Sequence, residues 1–161
     1  MKPTVAILMG SDSDAPALKP CGDVLKELGI PYIAKVLSAH RTPDETVEFV
    51  KLARKNGIKV IIAAAGGAAH LAGVAAANTS LPVIGIPVET SSFKGMDSLL
   101  STVQMPAGTP VAAVAVGPGG VKNAAFLAAR ILALQDAKLE KALEKYKDSN
   151  RKKILSKEIT L

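Results

Sequence analysis

Tryptophan is absent from the 161-residue chain, aromatic residues make up only 3% of it, and Cys21 is the sole cysteine. With so few aromatic platforms, single-stranded nucleic acid has little to stack on, and a flavin ring has nothing to sandwich it. One cysteine permits neither an intrachain disulfide nor a multi-cysteine metal site. A reducing compartment, the cytoplasm, is the simpler expectation. Cys21 itself reads as a small buried filler. Long apolar runs are also scarce. Val5 to Met9 is shorter than the core of a signal peptide requires. Val60 to Ala77 contains no Asp, Glu, Lys or Arg, yet Gly66-Gly67 breaks it where a spanning helix would need about 20 uninterrupted residues. It reads instead as buried strand, turn and helix, and no membrane partner is expected. The net charge of +6 comes largely from Lys138 to Lys157, where acidic residues are interspersed. That stretch reads as a solvated helix face rather than a nucleic-acid arm. An anionic small molecule suits the charge as well as nucleic acid does.

What is present is apolar mass of one kind: 48% of the chain is hydrophobic, carried by Ala, Val, Ile and Leu. Strand-like runs at Thr4 to Met9, Tyr32 to Leu37, Lys59 to Ala64, Val83 to Ile86 and Val111 to Val116 alternate with helix-like runs near Ala15 to Leu28, Pro43 to Asn56, His70 to Asn78, Met96 to Val103 and Lys122 to Leu134. Three of the strands lack polar alternation, as expected when both faces are covered. Thr42 and Glu45 suggest a capping box with Pro43 at the first helical position. Phe49, Leu52 and Ala53 suggest an apolar stripe, and Gly57 a stop. Pro20 should bend or delay the first helix, and Gly117-Pro118-Gly119-Gly120 reads as an enlarged turn. A final amphipathic helix, from about residue 137, carries Leu139, Ala142, Leu143 and Tyr146 on one face. The whole of 1–161 reads as a single α/β domain: a flavodoxin-like parallel sheet of order 2-1-3-4-5, helices on both faces, and a C-terminal helical extension.

In that order ligands bind outside the carboxyl ends of the strands, at the switch point between the first and third. The loops there read Gly10-Ser11-Asp12-Ser13-Asp14, Ser38-Ala39-His40-Arg41-Thr42-Pro43 and Gly66-Gly67-Ala68-Ala69-His70, and they hold both histidines of the chain. The first loop offers helix-start N–H groups for phosphate, with Ser11 and Ser13 hydroxyls as further donors. Asp12 and Asp14 sit where a helix dipole favours the ionised carboxylate; Asp14 could cap the helix or accept from ribose. In the second loop Arg41 can fork onto phosphate, and an imidazole such as His40 can move protons near neutrality. In the third, Gly66 and Gly67 can bring backbone close to a ligand, while His70 reads equally well as a buried structural residue.

MGSDSD at 9–14, SAHRTP at 38–43, AGGAAHL at 65–71 and VQMPAGTPV at 103–111 together resemble the class I N5-carboxyaminoimidazole ribonucleotide mutases. The similarity runs to about Leu134. The related class II enzymes, which carboxylate aminoimidazole ribonucleotide with free carbon dioxide, typically show Lys after the His and a G-R-S-N-type third loop; Arg41 and Gly67-Ala68-Ala69-His70 fit class I better. The resemblance implies a three-layer α/β sandwich assembled as a homo-octamer. It implies carboxylate transfer from the exocyclic nitrogen to ring carbon C4, in purine biosynthesis, without metal or organic cofactor. It implies that Ser11, Asp14 and Arg41 hold the ribose phosphate part, and Ser13 is a further candidate for binding substrate. Ser38, Ala39, Gly66, Gly67, His70 and Leu71 would line the base and carboxylate pocket, and His40 would be the general acid/base. The competing readings are the class II carboxylation and a non-catalytic nucleotide-binding domain. The second gives no reason for His40 and Arg41 to stand together at the switch point.

Overall fold

The computed structural model describes residues 2–160. Five parallel strands form one sheet in the order β2-β1-β3-β4-β5: β1 Val5–Met9, β2 Tyr32–Val36, β3 Val60–Gly66, β4 Val83–Val88 and β5 Ala112–Ala113. The helices are α1 Ala15–Glu27, α2 Pro43–Ala53, α3 Leu71–Ala77, α4 Met96–Val103, α5 Pro118–Ala133 and α6 Ala137–Leu155. The expected flavodoxin-like order holds. Among the described residues, no helix is long and apolar enough to cross a membrane.

Side-chain alternation divides the core. Val5, Ile7, Met9, Val60, Ile62, Ile84 and Ile86 point to one face, where α1 and α5 cover them through Leu18, Cys21, Leu25, Val121 and Ala125. Ala6, Leu8, Ile61, Ala63 and Val83 point to the other, beneath Val50 and Ala53 of α2 and Leu71 and Ala75 of α3. Each Val, Leu or Ile so buried contributes roughly 1.5–3 kcal/mol. The three central strands, β1, β3 and β4, are the ones without polar alternation, because helices lie on both sides. Alanine on α5 lets that helix sit close to the sheet. Cys21 is fully buried as expected, and burial pushes its thiol pKa up to about 12, which leaves it inert. Leu139 and Leu143 of α6 pack on the same cluster, and Tyr146 meets Phe126 at 4.5 Å between ring centroids.

Several local expectations are corrected. Pro20 does not delay helix α1, which starts at Ala15 and continues through it; the carbonyl deprived of a partner is that of Pro16, in an exposed first turn. The Gly-Pro-Gly-Gly run is not an enlarged turn: Pro118 opens α5, four residues before the expected start. A Cβ on Gly120 would collide with the Ala115 carbonyl oxygen, so this helix start closes on the segment after β5 only with glycine. Strand β5 has two residues instead of six. It pairs Ala112 and Ala113 with Ile84 and Gly85, and Val114 donates to the Gly85 carbonyl. Pro87, two residues on and facing the same neighbour, has no N–H with which to extend the ladder. On α2 the buried face is Thr46, Val50 and Ala53, and Leu52 is 42% exposed rather than part of the stripe. The helix ends at Ala53, before the chain turns through Gly57 at φ +94°.

Candidate active site

The loops that leave the carboxyl ends of β1, β2 and β3 enclose a cavity of about 390 Å³. Ser11, Asp14, Ser38, Ala39, His40, Arg41, Gly66, His70 and Leu71 all line it. Ser13 and Gly67 do not. The Ser13 hydroxyl bonds the Ser11 hydroxyl at 2.8 Å, within its own loop. Gly67 supplies the left-handed bend, φ +63°, that lets the chain turn after β3. Gly10, Ala65, Ala68 and Thr90 also line the cavity and were not singled out by sequence. Thr90 follows β4 in a Ser/Thr-rich stretch with no pattern to mark it. It donates to Asp97 on α4 at 3.2 Å. Gly66 is small for Thr90's sake: a Cβ there would lie 2.9 Å from the Thr90 methyl. A larger hollow of about 580 Å³ lies between α5 and α6, but it gathers no imidazole and only one carboxylate, Glu144.

The second loop is built around Ser38, which is buried. Its N–H donates to the Thr42 hydroxyl at 2.9 Å, and that hydroxyl donates back to the Ser38 carbonyl at 3.2 Å. The Ser38 hydroxyl accepts from the Arg41 backbone N–H at 3.2 Å and from Arg41 Nε at 3.4 Å. Buried Thr46 donates to the Thr42 carbonyl at 2.7 Å and lies 3.3 Å from that of Ser38. The expected capping box does not form, since Thr42 makes no side-chain bond to the start of α2. Its hydroxyl closes the loop that carries His40 and Arg41. Ser38 thus positions Arg41 as well as lining the cavity.

Asp14 departs from the expectation of a carboxylate held ionised by a helix start. Burial raises its pKa above the ordinary 3.8, against a hydrogen bond from the Ser11 backbone and the charge of Arg41, and Asp12 adds to the rise. Loss of water outweighs the local donors here. Its side chain makes no cap bond to α1. The two histidines, 30 positions apart in sequence, meet with His40 Nε2 2.7 Å from His70 Nδ1. His70 is therefore no isolated core residue; its ring is exposed and faces the cavity beside His40.

The cavity can thus present one cationic fork, a carboxyl of raised pKa and a hydrogen-bonded imidazole pair to a small anionic ligand. A sequence model of the AIR carboxylase family matches residues 4–153.

The chain belongs to the AIR carboxylase family.

Its relatives within that family include the N5-carboxyaminoimidazole ribonucleotide mutase of Bacillus subtilis, 52% identical over 96% of both chains. That of Thermotoga maritima is 50% identical over 96% of this chain and 90% of its own. The crystal structure of Treponema denticola PurE superposes with a TM-score of 0.86 at 35% identity, over 95% of this chain and 94% of the other. The AIR carboxylase fold accounts for the placement of the three loops at one end of the sheet, and the membership agrees with the motifs that suggested it.

Proposed function

We propose that the chain converts N5-carboxyaminoimidazole ribonucleotide to 4-carboxy-5-aminoimidazole ribonucleotide, as a mutase of purine biosynthesis. The observation that carries this reading is that His40, Arg41 and Asp14 share one cavity at the switch point of a chain 52% identical to a mutase of that activity. Arg41, with Ser11 and Asp14, holds the ribose phosphate part. Ser38, Ala39, Gly66, His70 and Leu71 surround the base and carboxylate. Ser13 supports Ser11, and Gly67 shapes the third loop. His40 is the general acid/base. Cleavage of the carbamate leaves carbon dioxide and an electron-rich aminoimidazole; C4 attacks the carbon dioxide and then loses its proton. One placed base serves both proton transfers. The chemistry calls on no redox carrier.

The same reading makes 1–161 one catalytic domain with a C-terminal extension, working in the cytoplasm as a homo-octamer. Support for assembly comes from α4, where Met96, Leu100 and Val103, with Phe93 just before the helix, leave an exposed apolar row that a neighbouring copy would cover.

The test is an assay of the purified chain on two substrate sets. Turnover of the carbamate ribonucleotide is expected. Turnover of aminoimidazole ribonucleotide with bicarbonate alone, and none of the carbamate, would establish the carboxylase reaction instead. Ligand binding without turnover of either would leave a binding domain.

A further inference from the structure

The two histidines meet through unlike nitrogens, Nε2 of His40 and Nδ1 of His70, with the rings edge to face at 88° and 4.8 Å between centroids. A hydrogen bond between two imidazoles holds one proton between two nitrogens, so one ring donates while the other accepts. For the neutral pair this leaves two arrangements. In one, His40 donates from Nε2–H, its Nδ1 is bare, and His70 keeps its proton on Nε2. In the other, His70 donates from Nδ1–H, His40 is protonated on Nδ1, and the bare nitrogen is Nε2 of His70. The first puts both rings in the Nε2–H form, the commoner tautomer of a free imidazole side chain; the second puts both in the rarer one. Because the contact joins Nε2 to Nδ1, the two preferences add. Neither outer nitrogen has a protein hydrogen-bond partner among the described residues.

We propose that His70 is a positioning residue that holds His40 as the Nε2–H tautomer and so makes Nδ1 of His40 the nitrogen that exchanges protons with substrate. This rests on the mutase reading for the identity of that substrate. As the carbamate C–N bond breaks, its electron pair stays on the exocyclic nitrogen, which takes the proton from Nδ1 of the His40 imidazolium. C4 then gives an electron pair to the carbon of carbon dioxide. When the C4–H bond breaks, its pair restores the aromatic ring and the proton returns to the bare Nδ1. Throughout, Nε2–H remains engaged with His70, so the same nitrogen serves both transfers without the ring turning. The ring of His70 is free of structural duty: its backbone N–H donates to Ala68 and its carbonyl accepts from Val74, both at 2.9 Å, and neither bond involves the side chain.

The experiment is magic-angle-spinning NMR of the full chain labelled with ¹⁵N only in the histidine rings, combined with kinetics of two variants. The chain has two histidines, so four nitrogens are read. Above the imidazole titration, His40 is expected to be protonated on Nε2 and bare on Nδ1. His70→Phe removes the acceptor, so His40 should become a mixture of tautomers and turnover should fall about tenfold to a hundredfold, as when a partner that orients a functional histidine is lost, with KM moving much less. His70→Asn returns an acceptor oxygen in place of Nδ1 and should recover most of both. His40 protonated on Nδ1, an unchanged tautomer in His70→Phe, or a tautomer shift without loss of turnover would each overturn the proposal. So would His70→Asn falling as far as His70→Phe. The NMR needs no substrate, so a chain inactive on the carbamate would defeat the mutase reading while leaving the tautomer decided.

Discussion

The guanidinium of Arg41, in the loop after β2, donates through Nη2 to the carbonyl oxygen of Gly10, the residue that follows β1. With Nε directed at Ser38, two of its contacts brace neighbouring loops, and its remaining N–H groups are left for an anion. The bond also fixes how far the loops can part at the switch point.

Arg41→Ala is expected to weaken substrate binding more than bound chemistry. The phosphate it would contact is remote from the reacting carbon, so ground state and transition state share the interaction. A hydrogen bond to a charged group is worth about 1.5–3 kcal/mol, on the order of tenfold to a hundredfold in affinity. Steady-state kinetics should show the loss in KM. A collapse of kcat with KM unmoved would contradict the assignment to phosphate.

Asp14 predicts a pH dependence of stability with a defined sign. Its pKa is raised in the folded chain, chiefly by burial. Between the unfolded value, about 3.9, and the folded one, the native state holds more protons than the unfolded state. Stability from this group is therefore complete below the unfolded pKa and is lost as pH rises through the folded pKa. Asp14→Asn lacks that loss, so at pH 7 it should be as stable as the parent or more so, while binding substrate more weakly. Denaturant midpoints of both proteins from acid to neutral pH check this; a variant less stable than the parent at pH 7 but matching it in acid would reverse the sign.

Thr42→Val tests what closes the second loop. It leaves the N–H of buried Ser38 without the hydroxyl it bonds, a loss of about 1–3 kcal/mol. Turnover should fall with it, because His40 and Arg41 ride on this loop. Thr42→Ser keeps the hydroxyl and should lose little. If the two variants melted alike, the hydroxyl would not be the closing element.

How much of this was legible in the sequence follows from what each residue meets. β1, β3 and β4 were readable because helices cover both their faces, which removes polar residues from the strands. The three loops were readable because strand order alone brings them together. Thr42 with Glu45 has the spacing of a capping box, but its hydroxyl is taken by Ser38 four residues back, a competition the motif cannot display. The shortness of β5 was hidden because its cause, Pro87, lies on another strand. The His40–His70 bond joins residues 30 positions apart, and the burial that raises the Asp14 pKa, against the charge of Arg41, is likewise a property of the folded chain. Thr90 reaches the cavity from a stretch with no chemical signature at all.

The glycines of α5 give a paired stability test. Gly120→Ala would press a methyl onto the Ala115 carbonyl; overpacking of this kind costs about 1–3 kcal/mol, and more where backbone must shift. Gly119→Ala meets nothing within 4 Å and should be neutral or stabilising by about 0.4–1 kcal/mol. Thermal melts should rank Gly119→Ala, parent, Gly120→Ala. Equal melting of the two variants would mean that α5 does not start as described.

Whether His40 carries the proton in this cavity is read from the turnover of His40→Asn on N5-carboxyaminoimidazole ribonucleotide. Asparagine keeps some hydrogen bonding toward His70 but cannot carry a proton. General acid–base catalysis contributes about 10²–10⁴-fold, so kcat should fall by at least that order while the ribonucleotide product still binds and the assembly state is unchanged. Near-parental turnover in His40→Asn would mean that His40 is not the proton carrier.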